Sequence, residues 1–221
     1  MDAGPAEIVQ LPASSPDDHG SDVTWTVNVA ADGSGDLTGE EKHFGDAAFW
    51  LRSNLKEAEA RQQYVEDSLV SPWFPTIDVD KTIDFKGELT NGQALVKYKA
   101  KSRGMARREG KDLVLPLSPA QTYGSQIAPL PTRTLPVLLP SYFAPSHQNR
   151  TLRVVAPAGM AWSEPPPGGD ANGGDFGKAH LEITRDPKDQ RALIVKRSLV
   201  FNQHLIPVDK YVAWRTWVQQ V

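Results

Sequence analysis

A candidate calcium loop lies in the stretch NVAADGSGDLTGEE, which combines carboxylates, a serine and glycines and ends at Glu41. An EF-hand loop takes oxygen ligands at its first, third and fifth positions, glycine at the sixth and glutamate at the twelfth. With Gly35 as the sixth residue, Glu41 is the twelfth, but Ala30 is the first. With Gly33 as the sixth residue, the twelfth is Gly39. Because Asp-Gly between extended segments is typical of a hairpin turn, we predict a β-hairpin here.

Two charged rows could suggest a metal site or a paired acid and base. The acidic row is Asp78, Asp80 and Asp84, and the basic row is Lys97, Lys99 and Lys101. Each row alternates with apolar residues, which is the period of a half-buried strand. We predict that the two segments pair antiparallel, so that opposite charges face each other on the solvent side. The basic residues of the turn MARREGKD and its flanks could bind an anion, but a solvated loop is the simpler interpretation.

The histidines give no metal signature. The five are His19, His43, His147, His180 and His204, and no two have a zinc-ligand spacing such as His-x₃-His. His147 and His180 lie in or beside predicted loops and could meet in space, but lone histidines carry little information. A hydrolase elbow of the form Gly-x-Ser-x-Gly and a phosphate-binding glycine loop are both missing from the sequence. We predict no catalytic residue, no metal and no cofactor.

Aromatic residues in loops are the candidate ligand-binding residues. Trp162 stands at the start of a loop rich in proline and glycine, and Tyr142 and Phe143 lie in another loop. Exposed aromatic rings at the end of a β-domain could stack on sugars or hold a peptide. The alternative interpretation, which we favour, is that they cover the end of the core, because aromatic side chains dominate cores as readily as sites.

The elements that would position these residues fall into two units. In the first, alternation from Val23 to Val29 predicts a strand, and Asp46 suits the N-cap of one long helix. The apolar residues of that helix have spacings of three, four and seven: Ala48, Leu51, Leu55, Ala58, Val65 and Leu69. The strands that carry the two charged rows follow. The second unit reads as short strands, proline-rich loops and a final helix with Tyr211, Trp214 and Val218 on one face.

The sequence therefore predicts an α+β, mostly β protein: an α+β unit with an antiparallel sheet and one long helix, followed by a β-sandwich with a C-terminal helix. The predicted division is an N-terminal extension over 1–21, the α+β unit over 22–115, a proline-rich linker over 116–132 and the β-sandwich unit over 133–221. Most of the 18 prolines lie at or after Pro116.

Composition excludes several functional classes. The 221 residues contain no cysteine, so a thiolate nucleophile, thiolate zinc ligands and disulfides are all absent. The formal net charge of −3 argues against a nucleic-acid partner. Apolar runs are far shorter than the roughly 18 residues of a membrane span. The acidic start, MDAGPAEIVQLPASSPDD, does not have the pattern of a signal peptide.

Several motifs, in order, carry a resemblance to a known family. They are the stretch EIVQLPASSPDDHGSDVTWTVNVAADGSG, the glycine-started helix GDAAFWLRSNLKEAEARQQYVEDSLV with Arg52, the segments RTLPVLLP and LRVVAPAGMAW, and the closing strand and helix ALIVKRSLVFNQHLIPVDKYVAWRTWV. The chain resembles, over nearly its whole length, the non-catalytic C-terminal region of bacterial transglutaminase-like proteins of the papain-like superfamily. These proteins also carry β-rich domains of unknown function.

The resemblance implies that the Cys-His-Asp triad of such a protein lies upstream, in a separate catalytic domain. The chain would then be a non-catalytic accessory region that scaffolds that domain or presents substrate to it, with the domain as its partner in the same parent chain. Periplasmic or exported location is a family-level expectation. The alternative hypothesis is an independent β-sandwich module that binds a glycan or a peptide through Trp162 and the loops near it. An autonomous hydrolase is a third, weaker hypothesis, because no positioned acid and base can be identified.

Overall fold

A computed structural model describes residues 14–74, 76–87, 92–117 and 123–221. The strands of the first half are β1 Gly20–Val29, β2 Gly35–Phe44, β3 Ile77–Val79, β4 Asp84–Lys86, β5 Gln93–Ser102, β6 Arg107–Glu109 and β7 Asp112–Val114. Those of the second half are β8 Val137–Leu138, β9 Ser146–Val155, β10 Gly169–Asn172, β11 Gly177–Asp186, β12 Asp189–Phe201 and β13 Leu205–Ile206. The α-helices are α1 Gly45–Leu55, α2 Ala58–Tyr64, α3 Tyr123–Ile127 and α4 Tyr211–Val218. The chain is thus α+β and mostly β with a C-terminal helix, as predicted.

One large mixed sheet runs through both predicted units. Its strand order is β10-β11-β12-β9-β1-β2-β5-β3, and β4 also pairs with β5. The two halves join where β1 and β9 run parallel, from Gly20 opposite His147 to Asn28 opposite Val155. Two small sheets, β13-β8 and β6-β7, complete the described strands. The sheet is therefore continuous across the predicted linker, and the unit boundaries themselves stay a prediction.

One face of the sheet is apolar and carries the helices, whereas the other is polar. On β1 the residues Val23, Trp25 and Val27 are buried and alternate with exposed or half-buried polar residues. The first core cluster joins these side chains to Leu51 and Leu55 of α1. A second cluster packs α4, through Trp214 and neighbours, against Leu199 and Phe201 at the end of β12. Alternation with a period of two places every inward-facing residue of neighbouring strands on this one surface.

The predicted hairpin is confirmed, and its turn uses the groups that suggested calcium. β1 and β2 pair antiparallel across the turn at residues 30–34. The Asp32 carboxylate accepts hydrogen bonds from the backbone N–H of Ser34 at 3.0 Å and from its hydroxyl at 2.6 Å. These bonds lower the pKa of Asp32. Gly33 has a φ of +89°, a conformation that glycine adopts without steric cost.

The predicted pairing of opposite charges is confirmed for Asp78 and Asp84, whereas Asp80 lies between two separate strands. β3 and β4 both pair antiparallel with β5, which brings Asp78 opposite Lys101 and Asp84 opposite Lys97. On the other side of β5, Lys97 makes an exposed ion pair of 2.8 Å with Glu40 of β2. These charges therefore belong to the solvated face of the sheet.

The long helix predicted over 46–69 is divided in the structure. α1 ends at Leu55, α2 occupies the next two turns, and a π-helical segment follows over Val65–Val70. The side chain of Arg61 reaches back to the end of α1, where it donates hydrogen bonds to the carbonyl oxygens of Leu55 at 2.7 Å and Lys56 at 3.3 Å. This arginine satisfies carbonyl groups that a continuous helix would have bonded internally.

The prediction that Asp46 is the N-cap was wrong. The capping residue is Phe44, and Asp46 lies within the first turn of α1. Its backbone N–H donates instead to Nδ1 of His19, at 3.1 Å. A histidine that precedes β1 thus supplies the acceptor that a capping side chain would have supplied. Of the predicted extension and linker, residues 1–13 and 118–122 lie outside the described residues.

Candidate functional site

A buried carboxylate lies at the centre of the inward-facing surface of the sheet. Glu41 of β2 is 3% exposed, yet it follows two apolar or glycine positions of the same face. Its Oε1 accepts a hydrogen bond from the Tyr98 hydroxyl at 2.5 Å, and its Oε2 lies 3.0 Å from Nε2 of His43. The Tyr98 oxygen in turn accepts a bond of 2.8 Å from the indole N–H of Trp25. These four side chains form a hydrogen-bonded chain, which offsets the cost of burying a carboxylate.

Strand register explains why these residues meet. Gly39 lies opposite Trp25 on one side and opposite Tyr98 on the other. Glu41 and His43 follow on the same face, two and four residues further along β2. A Cβ atom at Gly39 would lie 2.4 Å from the Tyr98 ring, so only glycine lets this ring lie across β2. The glycine therefore creates the space through which the phenol reaches both the carboxylate and the indole.

The charge of Glu41 acts on two tyrosines. Burial raises the pKa of Tyr98 well above its usual value, and the negative charge of Glu41 and the hydrogen bond to it raise it further. Burial also raises the pKa of Tyr64, the last residue of α2, and the charge of Glu41 adds to this rise. Both phenols therefore keep their protons to a higher pH than an ordinary tyrosine does.

A cavity of about 450 Å³ opens beside this chain of hydrogen bonds. It is lined by His43, Ala47, Trp50, Leu51, Tyr64 and Tyr142. Four elements supply these residues: the end of β2, the helices α1 and α2, and the loop between β8 and β9. His43 is therefore the link between the buried Glu41 carboxylate and the wall of the cavity.

Trp50 and Tyr142, which line the cavity, form an exposed aromatic surface together with the neighbouring Phe49, and we call these three residues the aromatic rim. These side chains are 57%, 51% and 50% exposed. The ring centroids of Trp50 and Tyr142 lie 6.2 Å apart at 80°, and those of Phe49 and Trp50 lie 6.0 Å apart at 76°. Such edge-to-face contacts make one contiguous patch, and contiguous exposed apolar patches mark interaction surfaces.

The arrangement is suited to binding. Three aromatic rings and an imidazole surround the cavity, whereas none of its six described lining residues is Ser, Thr or Cys. In the part of the chain that the structure describes, no group of three or more His, Asp and Glu side chains is placed to hold a metal ion. Within the same ranges, no helix is both long and apolar enough to span a membrane.

The three aromatic residues singled out from the sequence do not come together. Tyr142 belongs to the aromatic rim, but Phe143 packs inward on Phe201, with ring centroids 4.7 Å apart. Trp162 packs against the first core cluster and donates its indole N–H to the carbonyl of Val154 at 3.2 Å. Trp162 contacts Val154 near the end of β9, whereas Tyr142 lies in the loop before the start of this strand. Roughly 25 Å of strand therefore lies between the positions of Trp162 and Tyr142.

The histidines considered for a metal site are also apart. Nδ1 of His147 lies 2.9 Å from the carbonyl oxygen of Pro16. Nδ1 of His180 lies 2.7 Å from a carboxylate oxygen of Asp170 in β10. Each histidine thus has its own local partner.

The sequence suggests Glu41 only as a calcium ligand and His43 only as one of five histidines, and it does not single out Trp50, Tyr64 or Tyr98. One signal for Glu41 was available: it stands in the inward-facing row of β2, in register with apolar residues of β1 and β5. A charged residue in such a row must find a buried partner. Another signal was the Phe49-Trp50 pair, because both residues lie outside the stripe of Ala48, Leu51 and Leu55 that α1 buries.

The comparisons with known proteins are sparse. No family model matches the sequence, and no curated protein matches it. Among solved structures, the chain is similar to a protein from Parabacteroides distasonis ATCC 8503 described as a "putative protease", with 10% sequence identity and a TM-score of 0.26. The match covers 88% of this chain and 37% of that chain, so the present chain spans well under half of that protein's length.

Proposed function

We propose that this chain is a non-catalytic accessory region of a transglutaminase-like protein, and that it uses the aromatic rim to bind peptide segments of a substrate or of the papain-like domain. The observation that carries the proposal is the contiguous exposure of Phe49, Trp50 and Tyr142, the last two of which line a cavity. Aromatic and apolar side chains at this exposure gain most from being covered by another protein surface.

Two sequence features support the accessory role. The chain contains no cysteine, so the nucleophile of a papain-like reaction would come from another domain. The ordered motifs from the first hairpin to the closing helix resemble the region that follows such a domain. Trp50 of the rim lies within one of these motifs, the glycine-started helix. Tyr142 lies in the loop that directly follows another motif, RTLPVLLP.

A second candidate function is a free-standing module that binds peptides or glycans without a papain-like domain. It is favoured by the cavity itself, whose aromatic lining of Trp50, Tyr64 and Tyr142 does not depend on the resemblance. In this case the binding surface would be the rim rather than Trp162, which already packs against the core.

The size of the natural protein separates the two candidates. We would raise antiserum against this chain and measure the endogenous protein on an immunoblot of the source cells. A band far above 24.3 kDa, from a gene that also encodes a papain-like domain, is the result the accessory role requires. A band at 24.3 kDa would contradict that role and leave the free-standing module.

The accessory role also predicts an effect on catalysis. The parent protein should act on a protein substrate with a lower KM than a variant from which residues 14–221 are deleted, at similar kcat. Equal KM values for the two proteins would count against the role, because substrate presentation acts through binding.

A further inference from the structure

We propose that the cavity behind the aromatic rim binds an ammonium cation, and that its natural ligand is the side chain of a lysine in a peptide. This inference deepens the proposed function, on which it rests, by naming the chemical group that the site takes. It follows from the rings, the buried carboxylate and the size of the cavity.

The rings supply three walls of a cation site. Trp50 and Tyr142 meet at 80° with their centroids 6.2 Å apart, so the two rings form a corner. Tyr64 lines the same cavity from α2. The faces of aromatic rings carry negative potential, and a cation within about 6 Å of a ring centroid is attracted to it. Tryptophan and tyrosine are the strongest partners for such contacts.

A buried negative charge lies behind the cavity. Glu41 is 3% exposed, and its carboxylate contacts His43, which lines the cavity. Its charge raises the pKa of Tyr64, another lining residue. Because the Glu41 carboxylate is itself removed from water, its charge is screened less than that of a surface carboxylate. A cation in the cavity would therefore gain energy from Glu41 as well as from the rings.

Charge and size both favour an amine over other ligands. None of the described residues that line the cavity is a lysine or an arginine, so the site offers no permanent positive charge for an anion. The volume of about 450 Å³ is within the range of small-molecule sites and is large enough for an ammonium group with its aliphatic stem. The apolar side chains of Leu51 and Ala47 would contact such a stem.

The test compares two probes of the same shape. Choline carries a quaternary ammonium, and 3,3-dimethylbutan-1-ol replaces the nitrogen with carbon and has no charge. We would titrate each into the 221-residue chain and follow the indole N–H signals of the six tryptophans by NMR. The Trp50 signal is identified from the spectrum of Trp50→Phe. We expect choline to shift this signal, with an affinity roughly tenfold above that of the neutral alcohol.

Matched variants show whether the charge comes from Glu41. Glu41→Gln should weaken choline binding several-fold, whereas Glu40→Gln should leave it unchanged. The two changes remove the same charge from adjacent residues, but Glu40 is on the solvated face, where it pairs with Lys97. Because Glu41→Gln can also disturb the core, Trp50→Leu serves as a second variant at an exposed position. Its choline binding, followed by calorimetry because the Trp50 signal is gone, should be lost.

Three results would overturn the inference: equal affinities for choline and the neutral alcohol, a choline response that survives Trp50→Leu, or no response to choline at about 100 mM. None of them would by itself contradict the accessory role, which is tested by the size of the parent protein and by its KM. Conversely, a protein of 24.3 kDa that binds choline as expected would contradict the accessory role alone.

Discussion

The hydroxyl of Tyr98 lies 2.5 Å from a carboxylate oxygen of Glu41, and both side chains are almost completely buried. This contact joins β5 to β2 through side chains as well as through the backbone ladder. It also holds the carboxylate in place behind His43 and the cavity. The buried hydrogen-bonded chain and the proposed binding surface are therefore connected through His43.

Removal of the Tyr98 hydroxyl should destabilise the fold. In Tyr98→Phe, Glu41 loses a donor and the indole N–H of Trp25 loses its acceptor, in a place that water does not reach. We expect a loss of about 2–4 kcal/mol in the free energy of unfolding, because each buried group without a partner costs about 1–3 kcal/mol. Urea denaturation measures it. Tyr142→Phe, at an exposed position, is the control and should change stability by less than about 0.5 kcal/mol. Equal stabilities for the two variants would contradict the role of this bond.

The substitution Gly39→Ala should destabilise the fold because the added methyl group would clash with the Tyr98 ring. The added Cβ would lie 2.4 Å from the Tyr98 ring, and we expect Gly39→Ala to cost about 1–3 kcal/mol of stability. Gly169→Ala is the matched control, since Gly169 is also in a strand and a Cβ there meets nothing within 4 Å. In a Tyr98→Ala background the cost of Gly39→Ala should disappear. If the cost persisted there, the clash with the ring would not be its cause.

The free energy of unfolding should fall at alkaline pH, mainly because the folded protein raises the pKa of Tyr98. The folded protein raises the pKa of Tyr98 through burial and the charge of Glu41, and that of Tyr64 through the same two causes. Above the unfolded pKa of about 10, the unfolded chain releases phenolic protons that the folded chain retains. The stabilising contribution is therefore complete below pH of about 10 and is lost as the pH rises toward the folded values.

Urea denaturation between pH values of about 8 and 11 checks this linkage. Wild-type protein should lose stability more steeply above a pH of about 10 than Tyr98→Phe does, because the variant has one fewer retained proton. Absorbance at the phenolate wavelength should show Tyr98 ionising only with unfolding. Parallel stability curves for the two proteins would be inconsistent with the raised pKa.

The local part of the fold follows from local signals. The hairpin of β1 and β2 is encoded by strict alternation around Asp32-Gly33, and the ladder of β3, β4 and β5 by charged residues in register with a period of two. Both signals lie within short stretches of sequence, where propensity and turn chemistry act together.

The remainder depends on contacts between distant residues. The parallel pairing of β1 with β9 joins Gly20 to His147, and no pattern in either strand specifies this partner. Glu41 is buried because Tyr98, 57 residues away, reaches it across Gly39. Trp50 and Tyr142 similarly meet only in the folded chain. The sequence could therefore indicate Tyr142 as a candidate site residue, but not the residues that surround it in the folded chain.

The most direct test of the central claim is binding of the aromatic rim to the papain-like domain that the proposed accessory role requires in the same gene, measured by calorimetry with the separately produced domain. The exposed double variant Trp50→Ala/Tyr142→Ala should bind roughly tenfold or more weakly than wild type, because aromatic anchors dominate such interfaces. Val114→Ala is the control and should bind as wild type does. This half-exposed residue lies on the β6–β7 hairpin, beside the turn between β1 and β2. The aromatic rim lies at the opposite end of these strands, where β2 ends at Phe44. Equal binding by all three proteins, or no binding by wild type, would contradict the account.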